Sequence, residues 1–121
     1  SDTTVALGRR IHGKPLDAAD AAATLRKLSG RTHRVITAVA VALGDTEALA
    51  VSTSRVSFAD LDEATIGRYV AGGEPFGKAG AYAIQGAAGG WVTRIEGSYS
   101  GIMGLPLHET VELLRSIGVR T

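Results

Sequence analysis

A chain of 121 residues, 45% hydrophobic and 21% charged, carries enough apolar side chains for one packed core, which excludes a disordered segment and suits a single domain over 1–121. Thirteen Lys and Arg stand against 12 Asp and Glu, a net charge of +1 without the basic excess that holds nucleic-acid phosphates, so nucleic acid is not an expected partner. Cysteine is absent, which removes disulfides, thiolate metal sites and a cysteine nucleophile.

Every apolar run is interrupted by Arg, Asp, Glu or Gly before it reaches the length of a membrane span, so no membrane partner is expected. The opening residues Ser1-Asp2-Thr3-Thr4 lack an initiator Met and the charged and apolar regions of a signal peptide. A cytoplasmic location is the expectation. Thr3 to Leu7, the turn residue Gly8 and then Ile11-His12 predict a β-hairpin, which Pro15 ends. Asp17 is placed to cap a helix running to about Ser29, with Asp20 in its first turn, Arg26 and Lys27 in its last, and Gly30 after it. Its apolar face reads Ala18, Ala21, Ala22, Leu25 and Leu28.

Val35 to Leu43 is nearly continuous Val, Ala and Ile, the composition of a strand covered on both faces. Gly44-Asp45 turns the chain into a second long strand, Ala48 to Phe58. Asp60 with Glu63 three positions later predicts a capping box opening a helix that turns Ile66, Tyr69 and Val70 inward and stops at Gly72-Gly73. From Glu74 to Gly90 no periodicity is visible, and the glycines indicate tight turns or close approach to a ligand. Trp91 to Ile95 predicts a strand, and Pro106 opens a last helix with Leu107, Val111, Leu114 and Ile117 on one face. The order of elements is that of an α/β domain around one sheet.

The polar candidates for chemistry are Asp2, Lys14, His33, Glu74, Lys78, Gln85 and Glu96. His12, His33 and His108 lack a zinc-ligand spacing. Gly13-Lys14-Pro15 and Gly77-Lys78-Ala79-Gly80 each place a cation among small residues outside a helix, and free backbone N–H groups beside such lysines can hold a polyphosphate. A carboxylate such as Asp2 can ligate a divalent cation or orient a water, and the Gln85 amide can read the edge of a base. Each taken singly also has a plainer reading: Lys14 and Lys78 as solvated surface lysines, Asp2 as a solvated terminal carboxylate, Asp60 and Glu63 as helix caps, Trp91 as packing, His33 as a hydrogen-bonded strand residue.

Taken in order, Ser-Asp-Thr-Thr-Val (1–5), Gly-Lys-Pro (13–15), Leu-Ser-Gly-Arg-Thr-His-Arg-Val-Ile-Thr (28–37), Gly-Glu-Pro (73–75), Lys-Ala-Gly-Ala-Tyr-Ala-Ile-Gln-Gly (78–86) and Ile-Glu-Gly-Ser-Tyr-Ser-Gly-Ile-Met-Gly-Leu-Pro-Leu (95–107) resemble the Maf family, the septum formation inhibitor-like proteins. The resemblance implies a mixed β-sheet flanked by helices. It also implies a cytoplasmic, metal-dependent pyrophosphatase, using Mg²⁺ or Mn²⁺, that cleaves a nucleoside triphosphate to the monophosphate and pyrophosphate. In that family the Asp of the Asp-Thr motif is the catalytic carboxylate and metal ligand, matching Asp2. The two motif lysines face the substrate phosphates, matching Lys14 and Lys78. The Thr after the catalytic Asp and the Gln of Ile-Gln-Gly are tied to substrate choice, matching Thr3 and Gln85, and Gln85 in place of Glu points to the dTTP/UTP branch.

The family also suggests a homodimer, and its septum-related name supplies an alternative, a non-catalytic nucleotide-binding regulatory module. Its members open with a strand and a Ser-x-Ser-Pro-Arg-Arg motif that helps grip the triphosphate; this chain matches the family without that N-terminal segment. Arg9-Arg10 lie in the hairpin turn, the wrong place to replace it. The expectation is a fold lacking its N-terminal part and a phosphate site incomplete in this chain. Gly101 stands where the family usually has Asn.

Overall fold

The structure, a computed structural model, describes residues 1–121. Strands β1 (Asp2–Leu7) and β2 (Arg10–His12) form the expected hairpin, in register from Val5↔His12 to Leu7↔Arg10. The two long strands, β3 (Thr32–Leu43) and β4 (Thr46–Phe58), pair without interruption from Thr32↔Ser57 to Leu43↔Thr46. With β5 (Val92–Glu96) they build one five-stranded sheet in the order β2-β1-β3-β4-β5. The expected α/β architecture around one sheet holds, and all four strand pairings in this chain are antiparallel.

Helix α1 (Ala18–Leu28) starts where predicted, the Asp17 carboxylate accepting the Asp20 N–H at 2.8 Å. It buries Ala21, Thr24, Leu25 and Leu28, leaving Ala18 exposed, so the inward face is turned toward Thr24 from the predicted stripe. Helix α2 (Glu63–Ala71) buries Ile66 and Tyr69, with Val70 half-buried. Its cap is Asp62, which accepts the Thr65 N–H at 2.7 Å, and not the predicted Asp60. Asp60 is held one step earlier, its carboxylate lying in the space that a Cβ on Gly30 would need. Glu63, freed from a capping box, takes the Arg26 guanidinium in a two-pronged contact of 2.7 and 2.9 Å that ties α1 to α2. Both side chains are solvent-screened, so the tie orients more than it stabilises.

The core is one cluster that includes Val5, Leu25, Leu28, Val35, Val56 and Ile66. Along β3, His33, Val35, Thr37 and Val39 are buried while Arg34, Ile36 and Ala38 are half-buried and Ala40 is exposed. The expectation of a strand covered on both faces is therefore corrected. The outer face of the β3–β4 pair stays open, with Leu49 67% and Val51 56% exposed. Apolar composition states what a strand tolerates as a neighbour and cannot state that the neighbour is there.

The glycine-dense stretch contains two short 3₁₀ turns, Ala79–Ala81 and Ala87–Trp91. Trp91 closes the second one, edge-on to Tyr69 at 4.6 Å and to Phe58 at 5.8 Å, which makes it packing, and β5 begins one residue later than predicted. A five-residue helix, α3 (Tyr99–Met103), was not expected; Ser98 caps it, accepting the Gly101 N–H at 3.0 Å. Five residues are too few to show a helical period. Helix α4 (Leu107–Ser116) follows Pro106 as expected and lies over β3 and β4 with Val111, Leu114 and Ile117 half-buried and Leu107 exposed.

His33 sits at the centre of an aromatic group, 4.9 Å from Phe58 and 5.4 Å from Tyr82 between ring centres, with Nε2 2.6 Å from the Tyr82 hydroxyl. Burial holds its pKa down to about 4 from 6.5, with the nearby His12 adding to the effect. Between these two values the unfolded chain takes up a proton that the folded chain refuses, so this group's contribution is complete above pH 6.5 and is lost as pH falls to about 4. The loss amounts to about 3 kcal/mol. Urea unfolding at pH 7, 6, 5 and 4.5 is expected to show that slope in the native chain and a shallower one in His33→Phe; equal slopes would contradict it.

Candidate active site

A single close approach joins two of the predicted motifs. The loop after α2 lies so near β1 that a Cβ on Gly80 would stand 2.8–2.9 Å from three side-chain carbons of Val5. Gly80 also has φ +72°, and its N–H donates to the Gly13 carbonyl at 3.2 Å. The next residue, the fully buried Ala81, holds φ +63°, a conformation that L side chains rarely adopt. Lys14 follows Gly13 and Lys78 precedes Gly80 by two positions, so this contact brings both lysines to one cleft.

Both lysines are exposed, and neither takes part in any of the chain's three ion pairs. Their charge faces solvent. The expectation of several free N–H groups in this loop is corrected in part. The N–H of Lys78 donates to the Pro75 carbonyl, that of Gly80 to Gly13, and that of Ala81 to Lys78. The lysine side chains are thus the groups there left most free to donate.

The cleft has a volume of about 260 Å³, and all of Asp2, Thr3, Lys14, Lys78 and Gln85 line it, with the buried Tyr82 among the other walls. A shallower recess continues from it, shared through Thr3, Gln85 and Met103 and extended by Ser100, Gly104 and Leu107. The cations therefore belong to one end, and a hydroxyl, an amide and a thioether to the other. The Gln85 amide nitrogen donates to Met103 Sδ at 2.7 Å, which orients the side chain along the recess. Burial raises the Tyr82 phenol well above its ordinary value, so it remains a protonated hydroxyl.

Asp2 pairs with Ala38 and Thr3 with Thr37, so strand alternation sets Asp2 on the face opposite the one that Thr3 shares with Val5. The exposed Asp2 reaches the cleft at its rim. It is the only carboxylate on the cleft, and no three His, Asp or Glu side chains in the chain come together to hold a cation. Beyond Asp2, the cleft offers a divalent cation no further carboxylate or imidazole from this chain. Of the remaining candidates, His33 lies in the core, and Glu96 is paired with Arg94 at 2.6 Å. Glu74 lies over Gly86, filling the space a Cβ there would need.

One wall residue, Met103, and one residue buried behind the wall, Thr37, escaped the sequence reading. Met103 belongs to the short helix α3, which carried no periodic signal. Thr37, fully buried, donates to the Gly101 carbonyl at 2.7 Å and meets Thr3 Oγ1 at 3.0 Å. Within a run of Val, Ala and Ile it reads as one more β-former. Gly101, the position noted for its missing side chain, is buried, and a Cβ there would come within 2.7 Å of Ser52 Oγ. With Ser at 52 the site leaves no room for the larger residue unless that hydroxyl turns away.

An antiparallel α/β sheet whose first strand and glycine loop form a cleft with cations at one end defines the class to which the chain is compared. The family model described as Maf-like protein matches residues 1–117, and the chain belongs to the Maf family. It is 62% identical over 120 residues to a dTTP/UTP pyrophosphatase of Polaromonas sp. (strain JS666 / ATCC BAA-500), covering 99% of this chain and 59% of that protein. It is 60% identical over 120 residues to a dTTP/UTP pyrophosphatase of Ralstonia nicotianae, covering 98% of this chain and 58% of that protein. A third relative so named, from Xanthomonas axonopodis pv. citri, is 55% identical over 119 residues, covering 98% of this chain and 63% of that protein. The chain thus spans about three fifths of the length of these relatives.

Gly80→Ala adds a methyl where Val5 leaves no space and forces it onto a left-handed backbone. A loss of about 1–3 kcal/mol in stability is expected. Weaker binding of tripolyphosphate should accompany it, because the lysine loops separate. Denaturant midpoints and calorimetric titration read the two effects; an unchanged midpoint would show that the contact is not a constraint.

Proposed function

We propose that the chain carries the nucleotide-binding cleft of a nucleoside triphosphate pyrophosphatase acting on dTTP and UTP, or on modified pyrimidine nucleotides. The observation that supports this most is the polarity of the cleft, with Lys14 and Lys78 at one end and Thr3, Gln85 and Met103 at the other. A triphosphate and a base have that same order of charge and hydrogen-bonding edge. The names of the relatives above point the same way.

In this reading water attacks the α-phosphorus, the bond to the α–β bridging oxygen breaks, and pyrophosphate leaves with the monophosphate as the other product. Asp2, at the rim, accepts the proton of the attacking water. Lys14 and Lys78 offset the charge that builds on the departing pyrophosphate. The triphosphate arrives as its Mg²⁺ or Mn²⁺ complex, and Asp2 is the one carboxylate on this cleft that could add a ligand to that cation. The remaining phosphate contacts belong to the part of the family's length that this chain does not span, and a second copy of the chain and a cytoplasmic setting are parts of the same proposal.

Pyrophosphate release from dTTP, UTP, CTP, dATP and GTP, with Mg²⁺ or Mn²⁺, tests it. Release is expected to be fastest from dTTP and UTP, and Asp2→Asn to lower kcat about 10²–10⁴-fold with little change in KM. Nucleotide binding without release, indifferent to Asp2→Asn, would replace the hydrolase by a binding module. Gln85→Glu removes a donor and leaves acceptors only, so the ranking should move away from dTTP and UTP. An unaltered ranking would take Gln85 out of base reading.

A further inference from the structure

One pair of hydroxyls beside the cleft is wired in a single direction. Thr37 is fully buried, and its Oγ1–H donates to the Gly101 carbonyl at 2.7 Å. A hydroxyl has one hydrogen to give. In the 3.0 Å contact between Thr3 Oγ1 and Thr37 Oγ1, Thr3 must therefore be the donor. Its hydrogen is spent inward, and only lone pairs remain for whatever enters. Thr3 lines both the cleft and its recess, and a Cβ on Gly104, another wall of the recess, would lie 3.6 Å from Thr3 Oγ1.

The carbonyl at the end of this relay is itself held. The Gly101 N–H donates to Ser98 Oγ at 3.0 Å, and Ser98 N–H donates to Ser54 Oγ at 2.8 Å. Ser52 Oγ closes over the Gly101 α-carbon, so the peptide cannot tip without moving β4. The direction of the Thr3 hydroxyl is thus set from three residues deep, before any ligand arrives.

We propose that Thr37 is a positioning residue that makes Thr3 an obligate acceptor, and that this acceptor selects bases with a ring N–H, uracil and thymine, over cytosine. The proposal rests on the reading of this cleft as a pyrimidine-nucleotide site. Uracil and thymine offer Thr3 the N3–H and offer the Gln85 amide NH₂ a neighbouring carbonyl. Cytosine has a lone pair at N3 and meets the same two groups only by sliding one position along its edge. Without the relay, Thr3 could turn its hydrogen outward and accept either base. The selection is stored in the hydroxyl's orientation, since its position is unchanged.

The test is the ratio of UTP to CTP dissociation constants for this chain, measured by calorimetry, with the melting temperature of each variant recorded. Thr37→Val keeps the volume and frees the Thr3 hydrogen; the preference for UTP is expected to fall about tenfold, mainly through tighter CTP binding. Thr37→Ser restores the hydroxyl and should restore the preference. A Val variant with the native preference overturns the relay. Should Thr37→Val not fold, Thr3→Ala decides, because a native UTP preference without the acceptor overturns the proposal equally. If the native chain prefers neither nucleotide, the pyrimidine reading of the cleft is what fails, and the relay's role falls with it.

Discussion

At Gly80 the loop backbone lies directly on the Val5 side chain, with no space for even a methyl group between them, and its N–H reaches across to the Gly13 carbonyl. Val5 is 2% exposed and belongs to the core cluster, so the loop is seated on the packed core. A segment full of glycine would otherwise be the most mobile part of the chain. Anchored here, it carries Lys78 to the same cleft as Lys14. The strained Ala81 next to it is held because the surrounding packing leaves no alternative path.

The opposite wall is organised by hydroxyls instead of by packing. Thr37, Ser52 and Ser54 lie on the inner face of β3 and β4, where apolar side chains would be the default, and each is buried. Two of them hold the turn into α3, Thr37 through the Gly101 carbonyl and Ser54 through the Ser98 N–H. Thr37 and Ser54 are tolerated there because they are paired, and once paired they fix direction as well as distance. The two walls therefore differ in kind. The lysine wall offers unpaired charge to solvent, and the hydroxyl wall offers an orientation set from inside the fold.

Much of the fold is legible in local chemistry. The β1–β2 hairpin, α1 with its Asp17 cap, the long β3–β4 pair and the opening of α4 at Pro106 each carry a periodic or capping signal strong enough to survive tertiary context. The misreadings share one cause. Asp60 and Asp62 are both able to cap α2, and the choice fell to Asp62 because Asp60 is taken up against Gly30, a residue 30 positions earlier in the chain. The apolar run of β3 pointed to cover on both faces, while in this chain only the inner face is covered. Helix α3 was invisible because its formation depends on Ser98 and on the sheet beneath it.

For the cleft, residue types offered Asp2, Lys14, Lys78 and Gln85 among several polar candidates, and the resemblance to the Maf family added Thr3. That these five line one cavity, spanning 84 positions of chain, is a property of the folded molecule. Only the tertiary structure decided that the N–H groups of Lys78, Gly80 and Ala81 are consumed internally, that Asp2 lies at the rim and Thr3 on the inner face, and that the Thr3 hydroxyl meets that of Thr37. The reason is that residue type records what a group is able to do, whereas its free valences, its direction and its neighbours are left over from pairings made with residues far away in sequence.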